Sequence, residues 1–116
     1  MLSTFLPRRR KWAKFSTCNF DLNLAGPGVS VWSLDTQSRN LEYGPYRYAS
    51  GTSMATPFVA GAIAKIWAPC QECSEAQVTD CIFKTAETDG EYSWCYGNGL
   101  IQAESAYDCL KEEGCC

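Results

Sequence analysis

The best candidate for a chemically reactive residue is Ser53, which directly precedes a long apolar segment. A serine at the start of a helix is suited to act as a nucleophile for two reasons. Its own backbone N–H has no partner inside the helix, and the helix dipole places positive potential where an oxyanion would form. Gly51, two residues earlier, would let a substrate backbone approach closely because it has no side chain. This arrangement makes Ser53 a candidate nucleophile for acyl transfer.

From spacing alone, a purely structural interpretation of the same residues is favoured. Thr52 and Ser53 are both good helix caps, a role worth about 1 kcal/mol. Other nucleophile motifs do not fit, because residues 51–55 lack the final Gly of G-x-S-x-G and no Lys lies three residues after Ser53. The 116 residues also contain no histidine, so the commonest general base and metal ligand is missing from the sequence.

The element that must position Ser53 is a helix predicted over residues 52–67. Its apolar residues wrap all the way round, which indicates a helix buried on every side. Pro57 is tolerated only in the first turn of a helix, which places the N-cap near Ser53. Gly61, in the middle of the helix, suggests close approach by a neighbouring element. A proline at position 69 ends the helix.

The flanking elements predict an α/β protein. Before the helix, residues 29–34 form a predicted strand with no wholly polar face, which suits a strand covered on both sides in a parallel sheet. Residues 46–50 form a short candidate strand. After the helix, residues 75–86 form a second predicted helix that starts with a capping box, and residues 102–110 form a third.

Cysteines are concentrated in the second half of the chain. Seven of the eight lie from Cys70 onward, a density that favours disulfides and therefore an oxidising compartment. Two alternatives remain, free thiols and a zinc site. Cys70 and Cys73 have the spacing of a thiolate pair, but no second such pair follows.

The charged residues are unevenly distributed. The formal net charge is -3, yet residues 1–14 hold five Lys or Arg and no acid, so the rest of the chain is acidic. An acidic body does not suit a phosphate-binding groove, so we expect no nucleic-acid partner.

The longest apolar run, residues 54–67, contains Lys65 and is too short to span a bilayer. The start of the chain does not have the pattern of a secretory signal.

Residues 51–61, Gly-Thr-Ser-Met-Ala-Thr-Pro-Phe-Val-Ala-Gly, resemble the serine-nucleophile signature of the subtilisin-like serine proteases, the subtilases. Residues 15–29 resemble the stretch that precedes this signature in the family. Residues 97–103 are similar to the G-x-G-x-[VI]-[ND]-A segment that closes its catalytic domain. The resemblance covers about residues 14–107 in the family's order.

The resemblance implies a role for four residues. Ser53 would be the nucleophile and a backbone oxyanion donor, while Ser50, Gly51 and Thr52 would lie beside a protein or peptide substrate. No cofactor and no metal are expected. Two positions depart from the family pattern, Gly26 where Ala is usual and Phe58 where His is common, and neither belongs to the triad.

The resemblance also implies that most of the catalytic machinery lies elsewhere. The family's triad runs Asp, His, Ser along the chain, and its side-chain oxyanion donor, an Asn, lies between the His and the Ser. All three other parts are expected N-terminal to these residues. We therefore expect the C-terminal part of a secreted or lumenal endopeptidase, inactive alone, whose partner is the missing N-terminal part. The alternative is a non-enzymatic, disulfide-rich remnant or protein-binding module.

The fold implied by the resemblance is the C-terminal portion of a subtilisin-like three-layer α/β fold with a mostly parallel sheet, incomplete in this chain. We divide the sequence into a basic, disordered tail (1–13), a partial subtilase catalytic domain (14–110) and a Cys-rich C-terminal tail (111–116). Without its N-terminal strands, one face of the helix at residues 52–67 would be open.

Overall fold

A computed structural model describes residues 2–6, 11–35, 44–88 and 93–116. Among them, no helix is both long enough and apolar enough to cross a membrane. The elements in chain order are the strands β1 (Leu2–Leu6), β2 (Lys11–Trp12), β3 (Leu24–Pro27), β4 (Val31–Leu34) and β5 (Tyr46–Ala49), followed by the helices α1 (Thr52–Trp67), α2 (Glu75–Thr85) and α3 (Ala103–Glu112).

The first three strands form one sheet in the order β2-β1-β3. β1 runs parallel to β3, with Leu2 opposite Leu24, and antiparallel to β2. The parallel pairing expected of the fold class is thus present beside an antiparallel one. β1 and β2 come from the basic tail predicted over residues 1–13, and each pairs through the backbone groups that a neighbouring strand offers at its edge, β1 with β3 and β2 with β1. Residues 7–10 of that tail lie outside the described residues.

The strand predicted over residues 29–34 is not covered on both sides. β4 pairs antiparallel with β5 in a two-stranded ribbon, and Trp32 and Leu34 on its outer face are 43% and 68% exposed. The apolar residues of that face pack on one another, with Trp32 stacked on Tyr46 at 5.6 Å between ring centroids. A short apolar run does not by itself distinguish a buried strand from a self-packed ribbon. The short strand predicted at residues 46–50 is confirmed as β5.

Helix α1 has the predicted bounds but not the predicted burial. Only Ala55, Val59 and Ile66 are buried, and Phe58 is 47% exposed. The helix is therefore covered on one face, as expected if the domain is incomplete. Close approach occurs on that face rather than at Gly61, where an added Cβ would meet nothing within 4 Å.

The close contact is instead made by Gly26 of β3. A Cβ on Gly26 would lie 2.5 Å from Cγ2 of Val59 and 3.2 Å from the carbonyl oxygen of Ala55. β3 is buried for most of its length, yet no strand was predicted here because glycine and proline are typical of turns.

Helices α2 and α3 pack on each other, and α3 also packs on α1. Their shared core contains Ile66, Val78, Ile82, Ala106 and Leu110, all buried. The predicted capping box at the start of α2 is confirmed: Ser74 Oγ accepts from the N–H of Gln77, and the Gln77 side chain accepts from the N–H of Ser74.

All eight cysteines form disulfides, which confirms the preferred interpretation over free thiols and zinc. The pairs are Cys18–Cys95, Cys70–Cys116, Cys73–Cys115 and Cys81–Cys109. Three of them tie the end of α1, both later helices and the last residues of the chain together. The fourth joins the segment before β3 to the segment before α3.

Candidate active site

Ser53 lies in the first turn of α1. The helix begins at Thr52 with Gly51 as N-cap, and no side chain makes a capping hydrogen bond. Ser53 is exposed. Among the described residues, its hydroxyl and its backbone N–H have no hydrogen-bond partner. The capping interpretation of Thr52 and Ser53 is therefore wrong, and the role of the Ser53 N–H as an oxyanion donor stays a prediction.

Pro57 does not lie in the first turn, as the predicted N-cap near Ser53 required. The N-cap is Gly51 rather than Ser53, so Pro57 is inside the helix. Proline lacks an N–H, so the carbonyl of Ser53, four residues earlier, receives no hydrogen bond from it. The bond is lost at the exposed end of the helix, where water can satisfy the carbonyl.

The turn that carries Ser53 is joined to the turn between β3 and β4 by two hydrogen bonds. The N–H of Gly51 donates to the carbonyl of Gly28 at 2.7 Å. The N–H of Ser30 donates to Oγ of Ser50 at 2.8 Å. Gly51 has φ 151°, a conformation that favours glycine. The backbone just before Ser53 is thus fixed by contacts distant in sequence, which no local pattern could have predicted.

A groove of about 400 Å³ runs beside Ser53, between α1 and the β4–β5 ribbon. α1 contributes Met54, Pro57 and Phe58, and the ribbon contributes Val31 and Ala49 among others. The volume is in the range of sites that take a small ligand or a side chain. A mostly apolar groove next to a free serine can hold an apolar portion of a substrate.

The electrostatic setting of Ser53 favours an anion but supplies no base. The first turn of α1 holds no acidic residue, so nothing there offsets the positive end of the helix dipole. Asp35, whose side chain lies in the groove wall, pairs with Arg47 at 3.0 Å. Because the sequence contains no histidine, these residues alone do not provide an imidazole to activate the hydroxyl.

One group of possible metal ligands occurs among the described residues, far along the chain from Ser53. A sulfur each from Cys81 and Cys109 and a carboxylate oxygen from Glu113 lie within 4.8 Å of one another. The two sulfurs are joined in a disulfide, so they are not available as thiolate ligands.

Comparisons with known proteins agree on one family. A sequence model described as the subtilase family matches residues 7–99. Over 94 residues, 81% of this chain, it is 42% identical to subtilisin from Bacillus pumilus and to subtilisin E from Bacillus subtilis. Those residues make up 32% and 23% of the two relatives, so the chain corresponds to about a third or less of their length.

Solved structures show the same fold at lower identity. Fervidolysin from Fervidobacterium pennivorans, a keratinolytic enzyme related to subtilisin, superposes with a TM-score of 0.80 at 21% identity. That match covers 92% of this chain and 18% of fervidolysin. The serine protease of Aeromonas sobria superposes with a TM-score of 0.78 at 17% identity, over 95% of this chain and 29% of that protein.

Proposed function

The chain belongs to the subtilase family, and from that premise we propose that Ser53 is the nucleophile of a serine endopeptidase that hydrolyses peptide bonds in proteins. The observation that carries the proposal is the exposed hydroxyl of Ser53, which lies with its own unbonded N–H at the start of α1. The 42% identity to a subtilisin supports it.

The proposed reaction is acyl transfer to water. Oγ of Ser53 attacks the carbonyl carbon of the scissile bond while a general base removes its proton. The N–H of Ser53 donates a hydrogen bond to the oxyanion that forms, and the helix dipole stabilises the same charge. The base then returns the proton to the departing amine, and water hydrolyses the acyl-serine. Gly51 and Thr52 flank the substrate backbone.

The base is proposed to come from outside these 116 residues, since they contain no histidine. The length of the relatives supports this, because their additional residues have the capacity to supply a base, its orienting carboxylate and a second oxyanion donor. Residues 14–110 would then be part of a catalytic domain. Below, the intact protein means this chain together with the segment that supplies the base. We expect the 116 residues alone to be inactive.

The open side of α1 fits this arrangement. Phe58 is 47% exposed beside Ser53, and the wide groove next to it has walls from α1 and one ribbon. Covering such a face removes apolar surface from water, worth about 25 cal/mol per Å². We propose that the segment supplying the base packs here.

We also propose an oxidising location for the protein, either outside the cell or in a secretory compartment. The support is the complete pairing of its cysteines, because structural disulfides persist in such compartments and are rare in reducing ones.

The proposed function is tested by substituting Ser53 in the intact protein, expressed from its full coding sequence. Ser53→Ala should reduce hydrolysis of denatured casein to background while leaving the melting temperature within about 2 °C, since surface substitutions cost little stability. The matched control is Ser105→Ala, an exposed serine on α3, which should hydrolyse casein at the wild-type rate. Wild-type hydrolysis by Ser53→Ala would refute Ser53 as the nucleophile, whereas an unsubstituted protein that does not hydrolyse casein would favour the non-enzymatic alternative.

A further inference from the structure

Ser30 has an unusual backbone conformation for its residue type. Its φ is 52°, and it is the one non-glycine with a positive φ among the residues that the structure describes. This left-handed region is sterically disfavoured for an L-residue. Such strain persists where the surrounding contacts impose it, and these positions are frequent near functional sites.

The hydrogen bond that accompanies this conformation is made to Ser50, three residues before Ser53. The left-handed turn aims the N–H of Ser30 at Oγ of Ser50, at 2.8 Å across 20 positions of sequence. The adjacent bond from Gly51 N–H to Gly28 carbonyl runs alongside it at 2.7 Å. Ser50 and Gly51, three and two residues before the nucleophile, are thereby fixed to another turn.

We propose that Ser30 and Ser50 are a positioning pair for the reaction at Ser53. The bond holds Ser50 and Gly51 so that the first turn of α1 starts in one orientation, which fixes the direction of the Ser53 N–H toward the oxyanion. The Ser50 hydroxyl is therefore engaged by the protein itself and acts through the backbone, although the resemblance places Ser50 beside the substrate. This inference rests on the proposed function.

A positioning role and a substrate-binding role for Ser50 have different kinetic consequences. A misdirected oxyanion donor weakens the transition state more than the bound substrate, so kcat falls and KM is kept. A lost hydrogen bond to the substrate itself, equal in both states, raises KM and leaves kcat unchanged.

The test compares Ser50→Ala and Ser50→Thr in the intact protein. Removal of the acceptor in Ser50→Ala should lower kcat about five- to tenfold with KM unchanged, which is the effect of one hydrogen bond. Ser50→Thr keeps the oxygen and should restore most of kcat. The control Ser105→Ala should match the wild type. A raised KM with normal kcat, an unchanged Ser50→Ala enzyme, or a Ser50→Thr enzyme no better than Ser50→Ala would each overturn the proposal.

A second measurement separates this proposal from the function on which it rests. Exchange of the Ser30 amide hydrogen with solvent should be slow in the wild type, faster in Ser50→Ala and slow again in Ser50→Thr. This readout does not need activity. An inactive wild type with that exchange pattern would refute the proposed function and leave the Ser30–Ser50 bond established, whereas equal exchange in all three would refute the bond.

Discussion

The two ends of helix α1 are held in different ways. At its start, Ser53 depends on backbone hydrogen bonds and on the close approach of Gly26 to Val59, and much of the surrounding surface is open. At its end, Ile66 is buried in a core with α2 and α3, and Trp67 donates to the carbonyl of Cys73 at 3.0 Å. Disulfides close that end covalently. The comparison distinguishes a C-terminal region closed by disulfides from a more open region around Ser53.

Removal of a disulfide from the C-terminal region should have the largest effect on stability. Cys81 is fully buried and bonded to Cys109 across a sequence separation of 28. Cys81→Ala with Cys109→Ala should lower the free energy of unfolding by about 3.5 kcal/mol, mainly because the unfolded chain gains freedom. Denaturant titration under non-reducing conditions measures it. A loss below about 1 kcal/mol would show that this region does not depend on its disulfides.

The next largest loss of stability is expected from a substitution in the loop that contacts the segment before β3. Gly97 has φ 61°, and a Cβ there would lie 2.5 Å from the carbonyl carbon of Asn23. Gly97→Ala should cost about 3 kcal/mol, since strain and overlap with rigid backbone add. Gly114 is the matched control, with φ 78° but nothing within 4 Å of an added Cβ. Gly114→Ala should cost only about 1 kcal/mol in the same denaturant titration, and equal costs would show that the contact with Asn23 has no effect.

Substitution of Gly26 tests the packing of β3 against α1, the helix that carries Ser53. Gly26→Ala should destabilise the protein by about 1–2 kcal/mol, because its Cβ meets the stiff, branched side chain of Val59. The double variant Gly26→Ala with Val59→Ala should recover part of that loss, which a double-mutant cycle of melting curves would reveal. Additive losses would mean that the two residues do not share one tight contact.

The smallest effect is expected on the surface of the C-terminal region. A hydrogen bond with Asp80, at 2.6 Å, raises the pKa of Lys84 above its usual 10.5. A raised pKa stabilises the folded state below the ordinary lysine pKa, and this contribution disappears as pH rises through the folded value. Lys84→Gln should therefore show a slightly smaller fall in melting temperature above pH 10.5 than the wild type. An identical fall in both would exclude a contribution from this pair.

The sequence was sufficient to predict the helix that carries Ser53, because the apolar run is local, while the role of Ser53 itself stays a prediction. It was not sufficient to predict how much of α1 is covered, because burial depends on which other elements are present. β3 was missed because Gly26 and Pro27 are typical of turns, whereas here the absence of a side chain is what allows the strand to approach α1.

Contacts between residues distant in sequence could not be predicted either. The cysteine count favours disulfides, but eight cysteines allow about 105 pairings, so the link between Cys18 and Cys95 emerges only from the fold. The bond between Ser30 and Ser50 is of the same kind, since neither serine carries a sequence signal for it.

The central claim is that Ser53 is a nucleophile whose general base comes from outside these 116 residues. Its most direct test is labelling of Ser53 by a fluorophosphonate probe, with the modified peptide identified by mass spectrometry. We expect Ser53 to be labelled in the intact protein and unlabelled in the folded 116-residue chain with its disulfides formed. Labelling of Ser53 in the chain alone, at a rate comparable to that in the intact protein, would contradict the account.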